Sequence, residues 1–132
     1  MSIGITIDGR TYNVHAVPDS VKRVAELLEG PLAGDMLSGR HERDLVGTKY
    51  RYQLHVEPVW TDPTDYDAFY DAVTAPADSH TVALPYGQTT IVFDAMIQTV
   101  EDTLIGAANG VNRWHGLIVS FEPVAPQKEA QA

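Results

Sequence analysis

The sequence contains no cysteine among its 132 residues. Disulfide bonds, thiolate nucleophiles and cysteine-based zinc or iron–sulfur sites are therefore excluded. It also lacks a run of about 18 apolar residues, the length that a membrane-spanning helix needs. The first eight residues, Met1–Asp8, do not combine a basic segment with a long apolar run, so they do not predict a secretory signal. We expect a protein that is made in the cytoplasm and stays soluble.

Basic residues are scarce. Lys and Arg number 9 against 18 Asp and Glu, which gives a formal net charge of −9, and no basic cluster is longer than two residues. Binding to nucleic acid needs a surplus of cations on one face to neutralise phosphates, and binding to an anionic membrane needs the same surplus. The charge balance therefore argues against both kinds of partner.

Catalytic motifs are also lacking. There is no phosphate-binding loop and no dinucleotide fingerprint. Asp78-Ser79-His80 contains the residue types of a hydrolase triad, but neighbours on an extended chain point to opposite faces and cannot form the relay. His55 and Glu57 have strand spacing and could hold a metal only if a neighbouring strand supplied a third ligand. An exposed polar pair is the commoner explanation, so we expect no enzyme, no cofactor and no metal.

The clearest element that is present is a strand over residues 44–57. Tyr50, Tyr52, Leu54 and Val56 alternate there with polar residues. This two-residue period puts one row on a core and the other in water, which is typical of an antiparallel strand with one wet face.

Two hairpins are predicted by their turn residues. Asp8-Gly9 separates two short apolar runs near the N-terminus, and both central residues of such a turn need positive φ. The second hairpin joins residues 80–84 to residues 88–96, and Pro85-Tyr86-Gly87 is predicted to form its turn.

A helix is predicted near residues 62–75. Asp62 is a candidate N-cap, Pro63 suits the first helical position, and Asp65 favours the helix dipole. The apolar residues that follow have the helical spacing i, i+3, i+4 and i+7: Tyr66, Phe69, Tyr70 and Val73.

Residues 19–30 fit two structures. Val21, Val24, Ala25 and Leu28 have helical spacing, yet the segment also fits a strand that crosses the sheet, and we favour the helix. Residues 31–40 and 106–112 are rich in glycine and are predicted to be loops. A last strand is expected over residues 114–122, with Leu117, Val119 and Phe121 on one side.

Together these elements predict a mainly β (α+β) fold, an antiparallel β-sandwich or partly open barrel of six or seven strands with one inserted helix. We expect one β-rich domain over residues 1–125 and a disordered C-terminal tail over residues 126–132.

Two groups of residues are candidates for binding. Trp60, Tyr86 and Trp114 could form an aromatic platform for a sugar, although aromatic residues beside turns more often seal a core. Arg40 and Arg43 lie in a mixed-charge run and could pair with carboxylates of a second copy, although the run could equally be a solvated face. The aromatic platform gives the alternative function, a carbohydrate-binding module that recognises a cell envelope.

Four segments of the chain resemble short virion structural proteins encoded in prophages of Gram-positive bacteria. They are residues 28–40, residues 43–50, Leu84-Pro-Tyr-Gly-Gln88 and residues 112–121. The order of strands with one helix inserted midway is similar to the tail-tube-like domain of phage tail proteins. The resemblance implies a non-enzymatic tail, tail-connector or baseplate component whose protomers join sheets edge to edge. It implies partners in copies of itself and in other tail proteins, and a location in the host cytoplasm and then the virion. We expect its assembly contacts at Leu37, Arg40, Arg43 and Tyr86.

Overall fold

The computed structural model describes residues 5–30, 34–35, 41–42 and 45–129. Those residues form twelve strands and one helix, mostly as antiparallel sheet, which confirms the predicted mainly β (α+β) class. The elements are β1 Thr6–Ile7, β2 Arg10–Thr11, β3 Val14–Ala16, β4 Lys22–Glu29, β5 Gly34–Asp35, β6 His41–Glu42, β7 Leu45–Pro58, α1 Pro63–Val73, β8 His80–Tyr86, β9 Thr89–Met96, β10 Val100–Ala108, β11 Val111–Pro123 and β12 Lys128–Glu129.

Ten of the strands form one continuous, open sheet, and β5 and β6 pair separately. β7 is its centre, with β3 and β4 on one side and β11 and β12 on the other. β11 pairs with β7 through residues 117–121 and with β9 through residues 122–123. It therefore links the β10-β11-β7-β4 part of the sheet to the β9-β8-β1-β2 part.

The two parts of the sheet share one hydrophobic core. Tyr52, Leu54 and Val56 of β7 are at most 2% exposed, whereas Gln53 between them is exposed, so the predicted alternation is confirmed. The inward rows of the other strands contribute further residues to this core, among them Ile7, Val82, Leu84, Phe93, Ala95, Leu117, Val119 and Phe121.

Helix α1 covers one side of this core. Tyr66, Phe69 and Val73 are buried and Tyr70 packs beside them, as its spacing predicts. Asp62 precedes the helix but makes no side-chain capping bond; its carboxylate instead accepts hydrogen bonds from Thr64 Oγ1 and Asn13 Nδ2. In the described part of the chain no helix has the length and apolar character needed to cross a membrane.

The N-terminal hairpin is confirmed, with Asp8 and Gly9 at φ of 51° and 82°. The second hairpin is also confirmed, but its turn lies two residues later than predicted. Tyr86 pairs with Thr89, so Pro85 belongs to the strand and Gly87-Gln88 form the turn. Gly87 has a φ of 55°, which suits the first central position of a two-residue turn.

The structure corrects three other predictions. Residues 22–29 form strand β4 and not a helix, because they pair along β7 from Leu45 to Gln53. Residues 106–112 are not a loop but the end of a hairpin between β10 and β11, which turns at Asn109-Gly110. In the tail predicted to be disordered, Lys128 and Glu129 form β12 against β7, and Gln127 exchanges two hydrogen bonds with the Tyr50 backbone.

Candidate functional site

Strand β4 is a long open edge of the sheet. Within the described ranges β4 pairs only with β7, so over residues 22–28 its other row of backbone N–H and C=O groups faces no described strand. Seven of its eight residues are exposed, including Val24 at 48% and Leu27 at 50%. An exposed edge with apolar side chains is a ready template for pairing with another strand.

Strand β10 is a second long open edge. Among the residues described it pairs only with β11. Leu104 is 45% exposed and Ile105 is 57% exposed, and Val111 at the start of β11 adds a further 43% exposed side chain. The two open edges lie on opposite sides of the four-strand order β10-β11-β7-β4.

All three pairings in that order are antiparallel, so β4 and β10 run in opposite directions. A second copy related by rotation about a ring axis would therefore present its β10 antiparallel to β4 of the first. The two edges are offset along the strand direction. β4 pairs with residues 45–53 of β7, whereas β10 pairs with residues 111–119 of β11, a segment whose last residue, Val119, lies opposite Leu54 of β7. A ring would need tilted, staggered strands, which closed sheets have in general.

Arg51 ties the β4 edge to the middle of the sheet. Its guanidinium donates to Glu26 on β4 at 2.9 Å and to Glu122 on β11. Glu122, and then Glu26, raise the pKa of Arg51 above its ordinary value. Exposed ion pairs add little stability. These contacts connect the side chains of β4 and β11 across β7.

Tyr86 is the one residue of the four expected assembly contacts that the structure describes; Leu37, Arg40 and Arg43 lie outside the described residues. Tyr86 is half-buried at the end of β8 and donates its hydroxyl hydrogen to Tyr50 Oη at 3.2 Å. This hydrogen bond lowers the pKa of Tyr50 and raises that of Tyr86. The Arg23 guanidinium of β4 lies 5.4 Å from the Tyr86 ring centre. Tyr86 therefore contacts β4 near the beginning of that strand, through Arg23.

The histidine sites do not form a metal centre in the described residues. His55 Nε2 lies 2.6 Å from Glu57 Oε1, and the backbone N–H of Gly116 donates to the same carboxylate. No group of three or more histidine or acidic side chains there is arranged to hold a metal ion. His80 pairs with Asp8 at 2.8 Å, so it is held by the N-terminal turn and not by the adjacent Ser79 or Asp78.

The predicted aromatic platform is divided by the fold. Trp60 and Trp114 line one cleft, between the start of α1 and the tip of the β10–β11 hairpin, whereas Tyr86 lies against Tyr50 elsewhere. Two polar residues of this cleft, Asp67 and Asn112, are not apparent as candidates from the sequence. Asp67 occupies an exposed helical position and Asn112 follows a turn, so neither differs in pattern from ordinary surface residues.

The chain was compared with protein-family models and with curated proteins. No match was found in either comparison.

Proposed function

We propose that the protein is a non-enzymatic virion structural subunit of a phage or prophage, a tail, tail-connector or baseplate component that acts by self-assembly. The observation that carries this proposal is the pair of long open edges, β4 and β10, on opposite sides of one antiparallel sheet. Soluble proteins normally shorten, charge or cover such edges because they template aggregation. β4 carries four charged residues, but they are of both signs and leave Val24 and Leu27 exposed between them. Joining the edges of successive copies removes both from solvent.

The chemistry of the edges supports assembly over catalysis. Each edge presents two exposed apolar side chains, Val24 and Leu27 on β4 and Leu104 and Ile105 on β10. Backbone hydrogen bonds supply direction in a strand-to-strand contact, and apolar side chains supply affinity. Because the two edges differ, the contact is head-to-tail, and such contacts form rings when the rotation closes.

The resemblance of the sequence to prophage structural proteins supports the same function. In that setting the partners are copies of the chain and other tail proteins. The chain then assembles in the cytoplasm of the bacterial host and remains in the virion tail.

The proposal is tested with two variants that each block one edge. Val24→Lys places a charge on β4 and Ile105→Lys places one on β10. Val92→Lys is the matched control, because Val92 is 64% exposed on β9 and lies on neither edge. Mass is measured by light scattering after size exclusion, and rings are sought by electron microscopy. We expect oligomers of the unmodified chain and of Val92→Lys, and monomers of either edge variant.

Mixing the two edge variants gives the decisive measurement. Each retains one intact edge, and the intact edges are complementary, so an equimolar mixture should form heterodimers that grow no further. Three results would contradict the proposal: an unmodified chain that remains monomeric at high concentration, edge variants that assemble like the unmodified chain, and dimers of a single edge variant alone.

A further inference from the structure

The cleft between α1 and the β10–β11 hairpin differs from the two edges, because it is a hollow lined by side chains and not an open strand. It has a volume of about 270 Å³ and is lined by Trp60, Trp114, Tyr66, Asp67 and Asn112 among others. A hollow of about 190 Å³ adjoins it, sharing Tyr66, Asp67 and Trp114 and adding Tyr70 and Asp102. The cleft is smaller than the pockets that hold drug-sized ligands, so it suits a single small ring.

The walls of the cleft are aromatic. Trp60 is 49% exposed in the turn between β7 and α1, and Trp114 is partly buried on β11, where it packs against the core. A large aromatic ring that faces an open cleft offers a flat apolar surface, and its indole N–H adds a donor. A ligand with one flat apolar face fits such a wall.

Two polar side chains of the cleft are without a hydrogen-bond partner in the described part of the chain. Asp67 and Asn112 line it, and neither side chain makes a hydrogen bond to any residue that the structure describes. The Arg113 guanidinium lies 5.5 Å from the ring centre of Trp60. The site therefore offers an acceptor in the carboxylate, donors in the guanidinium, and both in the amide.

The charges of these groups restrict the ligand. The Asp67 carboxylate disfavours an anion in the cleft, and the Arg113 guanidinium disfavours a cation beside Trp60. A neutral ligand with an apolar face for the indole and several hydroxyl groups can use the acceptor and the donors together, and it brings no charge that either group repels. We propose that the Trp60–Trp114 cleft binds one ring of a neutral saccharide.

The chain offers an internal reporter for this proposal. Its only two tryptophans are Trp60 and Trp114, and both line the cleft, so intrinsic tryptophan fluorescence reports on this site alone. The full chain is titrated with methyl glucoside, methyl galactoside and N-acetylglucosamine. Glucosamine and glucuronate serve as cationic and anionic counterparts, and glycerol as a polyol without a ring. Saturation-transfer NMR on the same samples identifies the sugar protons that touch the rings.

We expect a saturable fluorescence change with at least one neutral sugar and weaker binding of both charged sugars. Trp60→Ala, in which Trp114 still reports, should weaken binding about tenfold, because the stacking face is lost. Asp67→Asn should also weaken it, whereas Val92→Thr, far along β9, should not. Circular dichroism confirms that each variant is folded.

Several outcomes would overturn the saccharide site. They are the absence of a saturable change with all three neutral sugars, tighter binding of glucosamine or glucuronate, and unchanged affinity in Trp60→Ala. The edge variants Val24→Lys and Ile105→Lys leave the cleft intact, so their assembly and the sugar titration succeed or fail separately.

Discussion

His80 is buried at the start of β8 and depends on one partner from a distant part of the chain. Its Nδ1 lies 2.8 Å from Asp8 Oδ2, and the other oxygen of Asp8 accepts from the Thr81 backbone N–H at 2.9 Å. The hydrogen bond from His80 is the main cause that holds the pKa of Asp8 below its ordinary value. Asp8 therefore joins the N-terminal turn to β8 in its charged form.

The first prediction is that Asp8→Asn lowers the free energy of unfolding at neutral pH by no more than about 1 kcal/mol, since Asp8 is half-exposed. Because the folded pKa is depressed, this contribution is present above the unfolded pKa of about 3.9 and is lost as the pH falls through the folded value. Urea unfolding at pH 7 and pH 3 measures it. Asp78→Asn, an exposed neighbour of His80, is the control. A difference that persists undiminished at pH 3 would contradict this account.

Gly116 is the second residue whose role is visible only in the fold. It has a φ of 70° where β11 is irregular against β10, and its N–H donates to the Glu57 carboxylate. An added Cβ would meet no atom within 4 Å, so backbone strain alone decides the effect of a substitution.

We therefore expect Gly116→Ala to lower the free energy of unfolding by about 1–2 kcal/mol, the cost of a left-handed non-glycine residue. Gly106→Ala is the matched control, because Gly106 has equal space for a Cβ and no positive φ. It should be neutral or stabilise by up to about 1 kcal/mol. Thermal or urea unfolding of both variants measures this contrast, and equal effects of the two substitutions would exclude strain as the cause.

At the scale of elements, the sequence predicts the strands and the helix that have one buried face and one exposed face. β7 and α1 each bury one row of side chains, so the alternation of Tyr52, Leu54 and Val56 and the helical stripe from Tyr66 to Val73 are visible in the sequence. β4 buries almost nothing, and its Lys-Arg-Val-Ala-Glu-Leu-Leu-Glu composition favours a helix by propensity. Pairing with β7 overrides that propensity, and no local pattern reveals it.

Strand β10 was not predicted from the sequence, for a related reason. Asn109-Gly110 is a strong turn signal, but the residues before it do not alternate, because the strand is exposed and its pairing with β11 shifts register twice. The candidate cleft shows the same limit. Trp60 and Trp114 are apparent as aromatic residues, whereas their meeting with Asp67 depends on how α1 packs.

Helix α1 is joined to the N-terminal strands through Asp65. Its carboxylate accepts hydrogen bonds from the Asn13 backbone N–H and from Arg10 at 3.0 Å. We expect Asp65→Ala to lower the free energy of unfolding by about 1–2 kcal/mol, because a charge-assisted bond to the backbone is lost. Asp71→Ala, exposed and further along the same helix, should change it by less than about 0.5 kcal/mol. Chemical unfolding followed by circular dichroism measures both, and equal losses would contradict a specific contribution of the Asp65 hydrogen bonds.

At the scale of the whole molecule, net charge and the proposed assembly act against each other. Each copy carries a formal charge of −9, so copies repel one another at long range. The exposed apolar side chains of the two edges are Val24 and Leu27 on β4 and Leu104 and Ile105 on β10, and their burial on contact is the term that must outweigh this repulsion. The proposed edge contact must therefore form in spite of the charge of the subunits.

This balance predicts that salt promotes assembly. Raising sodium chloride from about 0.1 M to about 1 M shortens the Debye length from about 10 Å to about 3 Å, which screens the repulsion between copies. The oligomeric fraction, measured by light scattering at fixed protein concentration, should rise. Asp71→Asn together with Asp78→Asn removes two charges away from both edges and should shift assembly to lower salt. If Arg40 and Arg43 instead held the copies together through ion pairs with carboxylates, salt would dissolve the oligomers, and that result would exclude an edge contact of apolar character.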